Sequence, residues 1–143
     1  GGALFILGNL KIYPEASVIT HNSVAGISGG AVQAGSILLA SGGVLDVSNA
    51  TATSSFGGCL VAHHLESNAS ELTVVDCLAR TTGGGLYVTG SLRVAGALRT
   101  LRTGSQITGG AVAVASGHAH VATLEMTEVA GDGPAVFIAG DEG

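Results

Sequence analysis

Gly29-Gly30-Ala31-Val32-Gln33-Ala34, Gly57-Gly58-Cys59-Leu60-Val61-Ala62 and Gly83-Gly84-Gly85-Leu86-Tyr87-Val88 are three versions of one pattern: a glycine doublet, a small residue, then two apolar positions flanking a variable one. Outward from these, the pattern recurs at Gly1 and Gly109, and Gly133-Pro134 opens a sixth unit that breaks off at Gly143. The spacings are 28, 28, 26, 26 and 24 residues. A period of this length means one supersecondary unit per repeat, too thin to bury its own apolar face and stacked on its neighbours.

Aligned on the first glycine, the columns that follow are chemically uniform. The third position reads Ala3, Ala31, Cys59, Gly85, Ala111 and Ala135, all small. Leu4, Val32, Leu60, Leu86, Val112 and Val136 form one apolar column; Ile6, Ala34, Ala62, Val88, Val114 and Ile138 form another two residues on. Between them stand Phe5, Gln33, Val61, Tyr87, Ala113 and Phe137, the mixture expected of an outward face. Period-2 alternation of this kind marks a strand with one buried side. Gly8, Ser36, His64, Gly90, Ser116 and Gly140 then signal a turn.

A second strand follows, in which Leu10 and Ile12, Leu38 and Ala40, and Leu92 and Val94 alternate in step. The third and fifth units place Glu66 and Asn68, or His118 and His120, at those offsets. Either those units slip by one residue or they bury polar groups, and slippage is cheaper, since an unpaired buried polar group costs about 1 to 3 kcal/mol. Val44, Leu72, Leu98 and Leu124, with Ala16 in the first unit, mark a third strand. Three short strands and three turns per unit predict an all-β fold. It is a right-handed, single-stranded parallel β-helix, three-sided, of about five to six coils starting near residues 1, 29, 57, 83, 109 and 133. The doublet has a mechanical reason at such a corner, where the backbone takes positive φ or passes close to the next rung. Leucine-rich and helical repeats have similar periods. Against both stand 24 glycines, each costing a helix interior roughly 1 kcal/mol relative to Ala. Residues 1–143 read as one segment of a longer solenoid, because no polar cap precedes Gly1 and the sixth unit is incomplete.

Composition agrees with thin layers: 46% of residues are hydrophobic, but only 3% are aromatic and Trp is absent. Five Lys and Arg against a net charge of -5 cannot build the basic footprint of a nucleic-acid binder. The longest uncharged stretch, Ala16 to Leu45, holds six glycines together with His21, Asn22 and Gln33, which excludes membrane insertion by this segment. Cys59 and Cys77 read as buried small hydrophobes, with a bridge across one coil left open. The sequons Asn49-Ala50-Thr51 and Asn68-Ala69-Ser70 lean towards a secreted chain.

Gly29-Gly30-Ala31-Val32, Gly109-Gly110-Ala111-Val112 and Gly1-Gly2-Ala3-Leu4 resemble the Gly-Gly-Ala-Ile repeats of chlamydial polymorphic outer-membrane autotransporters and of similar arrays in large surface proteins. Ile19-Thr20-His21-Asn22-Ser23 is similar to that family's Phe-x-x-Asn motif; its Asn recurs as Asn49, and Cys77 takes the similar place in the third unit. The resemblance implies a β-helix, an extracellular or cell-surface location, and adhesion to glycans or surface proteins.

Pectin-degrading enzymes also use parallel β-helices and need converging carboxylates, often with Ca²⁺ and a basic residue. Asp46, Asp76, Glu125 and Glu128 lie near the third strand, with Arg80, Arg99 and Arg102 nearby. Asp76 and Glu128 share an offset from their glycine, but a whole unit separates them, an axial gap of about 10 Å. They read as solvated outer-face charge, so no catalytic residue is assigned. His118-x-His120 puts two imidazoles on one strand face, yet His63-His64 is two rungs away and no third ligand is evident, so no metal or cofactor is expected. Thr51-x-Thr53 is the germ of an ice-binding ladder that Thr81-Thr82 and Thr108 do not continue. The expectation is therefore a structural or adhesive solenoid; a carbohydrate-binding or polysaccharide-cleaving pectin-lyase-like module, and an ice-binding solenoid, are the alternatives.

Overall fold

The computed structural model describes residues 2–108, 110–131 and 133–139. Ten strands and no helix occur among them. They are β1 (Leu4–Ile12), β2 (Ser17–Ala25), β3 (Val32–Leu39), β4 (Val44–Ala52), β5 (Leu60–Ser67), β6 (Glu71–Ala79), β7 (Leu86–Ser105), β8 (Val112–Val114), β9 (Ala119–Ala130) and β10 (Val136–Ile138). All pairings are parallel. One wall stacks β1, β3, β5, the first half of β7, and then β8 and β10, with the start of β9 continuing its later rungs; a second wall stacks β2, β4, β6, the second half of β7 and the rest of β9. The chain is a parallel β-solenoid of about five turns.

The first two apolar columns stack as the repeat demands. Leu4 pairs with Val32, Val32 with Leu60, Leu60 with Leu86, Leu86 with Val112 and Val112 with Val136. Val32, Leu60 and Leu86 are fully buried, whereas Leu4 at the first coil is only partly so. Each added coil removes about 4.8 Å of column from water, and the core is continuous because every rung closes the one before it.

Further along each coil the phase differs from the sequence columns. In the second coil Ile37 and Leu39 point inward, in place of Leu38 and Ala40. The third and fifth units do slip, bringing in Leu65 and Ala119. Slippage does not remove every polar group: Ser67 is fully buried, with no partner for its hydroxyl. The third inward column is Val18, Leu45, Leu72 and Leu98, with Leu124 in register on the next coil but 37% exposed; Val44 is 46% exposed and Ala16 lies outside the strands. The residue counts explain this, because β1 and β3 shift register between Ile6 and Asn9, and β5 and β7 between Ala62 and His64. A residue gained or lost at a corner inverts everything after it.

The two glycines of the doublet do different work. Gly29, Gly57 and Gly83 hold φ of 61°, 63° and 68°, a conformation that a side chain disfavours. Gly30 and Gly58 sit so close to the next rung that a Cβ would lie 2.0 Å from the carbonyl oxygen of Gly58 and Gly84 respectively. Both N–H groups bond across, Gly57 N to Thr82 O and Gly58 N to Gly83 O, each at 3.0 Å. Positive φ therefore belongs to the first glycine, and the second is excluded from larger residues by contact alone. Gly1, Gly109, Gly140 and Gly143 lie outside the described residues.

Cys59 and Cys77 form a disulfide across the interior of one coil, with Cα atoms 5.3 Å apart and both residues fully buried. Cys59 stands in the small-residue column between Ala31 and Gly85, and Cys77 between Ala50 and Thr103. The bridge explains that column: opposing walls approach too closely here for anything larger. A Cβ on Gly85 would already meet Thr103 Cγ2 at 3.3 Å.

Gly58→Val should lower stability by more than about 1 kcal/mol in urea unfolding, whereas Gly8→Ala, with open space around its Cβ, should change it by less than about 0.5 kcal/mol. Replacing Cys59 and Cys77 by Ala opens a loop of 18 residues and should cost about 3 kcal/mol; alkylation in denaturant should leave both sulfurs unmodified until a reductant is added.

Candidate functional site

The outward residues of successive coils form ladders whose chemistry changes from rung to rung. On the second wall, a column of residues with positive φ runs Asn22, Asn49, Asp76, Arg102 and Glu128, with φ between 50° and 55°. Here the strand bends and its inward alternation changes phase, from Leu45 and Val47 to Ala50 and Ala52. Asn and Asp tolerate this conformation because their short polar side chains bond locally. Asp76, not Cys77, is thus the third-coil counterpart of Asn49; Cys77 points inward, level with Ala50. The spacing of Asn22, Asn49 and Asp76 could have revealed the column, but the doublet-based offsets drift past it.

This corner column is held together by its side chains. Asn49 Nδ2 donates to Asn22 Oδ1. Arg102 grips Asp76 bidentately, Nε to Oδ1 at 2.5 Å and Nη2 to Oδ2 at 3.0 Å. Beside it, Arg99 reaches Glu125 at 2.7 Å and Glu71 at 3.4 Å, and the Thr73 hydroxyl donates to Glu71 at 2.9 Å. The sequence reading did not single out Glu71. Arg102 stands between Asp76 and Glu128, so the two carboxylates do not converge, and Asp46 is separated from Arg99 by Thr73 in its column. These are exposed pairs, of the kind that contributes little to stability. Arg80, in the turn beyond β6, does not join them.

A shallow groove of about 470 Å³ opens where the second and third coils turn into this wall. It is lined by Gly42, Asp46, Ser70, Glu71 and Thr73. Gly42, at φ 84°, shapes the turn at its edge, and the polar lining offers hydroxyls and carboxylates suited to a polyhydroxylated ligand.

The histidines lie mostly on the other wall. His63 Nδ1 bonds Thr89 Oγ1 and His64 Nδ1 bonds Ser91 Oγ, both at 2.8 Å, and the two rings touch edge to face with centroids 4.2 Å apart. His118 and His120 flank the inward-facing Ala119 and are exposed. His21 pairs with Ser48 on the second wall. Among the described residues, no three His, Cys, Asp or Glu side chains come together in a way that could hold a metal ion. Thr51 stacks between Val24 and Leu78, so the ladder suggested by Thr51 and Thr53 is not threonine beyond one rung. Of the sequon asparagines, Asn68 is exposed in a turn, while Asn49 is committed to the corner column. No helix among the described residues is long and apolar enough to cross a membrane.

Comparison with protein-family models, with curated proteins and with solved structures returned no match.

The Arg102 guanidinium holds the Asp76 carboxyl below its ordinary value of 3.8, chiefly through the hydrogen bond. A depressed folded-state pKa contributes stability that is present above the unfolded value and lost as pH falls through the folded one. Asp76→Asn should therefore lower the urea midpoint slightly at neutral pH, with the difference from the parent vanishing as pH falls below 3.8 and in high salt.

Proposed function

We propose that this chain is a structural and adhesive segment of a large cell-surface or secreted protein, with no catalytic role. The observation that supports it most is the contrast between a continuous, largely apolar interior and outward ladders whose chemistry changes along the stack. Such an architecture holds a rigid spacing while presenting a varied surface. Of the carboxylates that a polysaccharide-cleaving site would draw on, Asp76 is engaged by Arg102 and Glu71 and Glu125 by Arg99. A buried disulfide fits an oxidising, extracellular compartment. The glycine-doublet likeness to Gly-Gly-Ala-Ile surface arrays points the same way.

The groove at Asp46, Ser70 and Glu71 favours a second reading, a carbohydrate-binding, pectin-lyase-like module. On a glycan array at neutral pH the purified chain should bind without turnover, and polygalacturonate should be left intact with or without Ca²⁺. Release of unsaturated or reducing ends would overturn the non-catalytic reading.

A further inference from the structure

The first wall gathers four of the five histidines onto one outward face or its corner. One ladder on this face runs Lys11, Leu38, Glu66, Arg93 and His120, each residue the register partner of the next. The neighbouring ladder runs Asn9, Ser36, His64 and Ser91, and His118, immediately before the Ala119 partner of Leu92, extends it. His63 closes the corner with Thr89 and Ser116. Lys11, His63, His64, Glu66, Arg93, His118 and His120 are all exposed. Among the described residues Glu66 is the one acid on these two ladders, and Arg93 on the next rung offsets it. The second wall, by contrast, carries Asp46, Glu71, Asp76, Glu125 and Glu128 against Arg99 and Arg102.

We infer that this face is a pH-gated binding surface for an anionic polysaccharide, one bearing sulfate or uronate groups, engaged in mildly acidic surroundings and released near neutrality. The inference rests on the adhesive reading and names its ligand class. Imidazoles are the side chains that change charge between about pH 5 and 8. With histidines neutral the chain carries a formal charge of -5, and that charge disappears if all five are protonated. The gain is concentrated where Lys11 and Arg93 already stand, so this face turns cationic while the other wall stays acidic. The cations recur at rung intervals along the solenoid axis, His120 one rung from Arg93 and His118 two rungs from His64. An extended polyanion lying along that axis meets them in succession. A groove of about 210 Å³ between Asn9, Lys11, Ser36, His64 and Glu66 gives one anionic group a seat at the far end. Neither ladder carries an exposed large apolar side chain, and Phe5 and Leu7, exposed beside the His63 corner, lie off both, which favours a polysaccharide along the ladders over a lipid surface.

The test is binding of the full chain to immobilised heparin at about pH 5.5 and 7.5, with uncharged dextran and anionic phospholipid vesicles as parallel probes. Affinity for heparin should be at least about tenfold higher at the acidic pH and should fall with added salt. His118→Gln with His120→Gln should abolish most of that pH dependence, Arg93→Gln should weaken binding at both pH values, and His21→Gln on the other wall should change nothing. Equal binding at both pH values, insensitivity to the double substitution, or capture by vesicles but not by heparin would each overturn the inference. Absence of heparin binding alongside a positive neutral-pH glycan array removes this face and leaves the adhesive reading standing; silence in both removes both.

Discussion

Everything in this molecule depends on how closely two rungs approach at one corner. The carbonyl oxygen of Gly84 occupies the place where a Cβ on Gly58 would go, and the same holds for Gly58 beneath Gly30. With the corner closed to that degree, both N–H groups of the doublets at Gly29 and Gly57 reach acceptors on the next coil, and the apolar residues that follow are delivered in register. Leu60 therefore lands on Leu86 and Ala62 on Val88 without further specification. The interior is narrow for the same reason. Small residues line it on both sides near the corner, and one pair of them, Cys59 and Cys77, is near enough to be joined.

How much of this was legible in the sequence varies along each coil. The first strand of every unit was readable because the doublet sets its phase and the first apolar column lies only three positions after the first glycine. Past the next corner, phase information decays. Ile37, Leu38, Leu39 and Ala40 form an unbroken apolar run, so alternation offers no contrast by which to choose Leu39 over Leu38. Val44 and Leu45 are ambiguous in the same way, and only the register with Leu72 decides for Leu45. The column of positive φ was hidden for another reason. Its members, Asn22 to Glu128, share a conformation and not a chemistry, since the later coils fill it with charged residues that answer one another across rungs.

The candidate surfaces were legible only in part. Asp76, Arg99, Arg102 and Glu125 could be assigned to an outer face from their offsets, but their partnership required the stack, which brings residues about a full repeat apart to adjacent rungs. Glu71 and Asp46 approach one groove only because the turns of two coils superpose. The histidines are the clearest case. His64 and His118 are distant in sequence and unremarkable singly, and their common face is a property of winding, not of any local motif.

The interior bridge also changes what the chain does under tension. A solenoid whose coils touch only their neighbours yields to a pull by peeling, one rung after another, and each rung freed adds its contour to the extension. Between Cys59 and Cys77 that release is denied: 18 residues, roughly 60 Å of extended backbone, stay looped however hard the ends are drawn. The third coil is thus a built-in stop, shortening the reach of the partly unravelled chain.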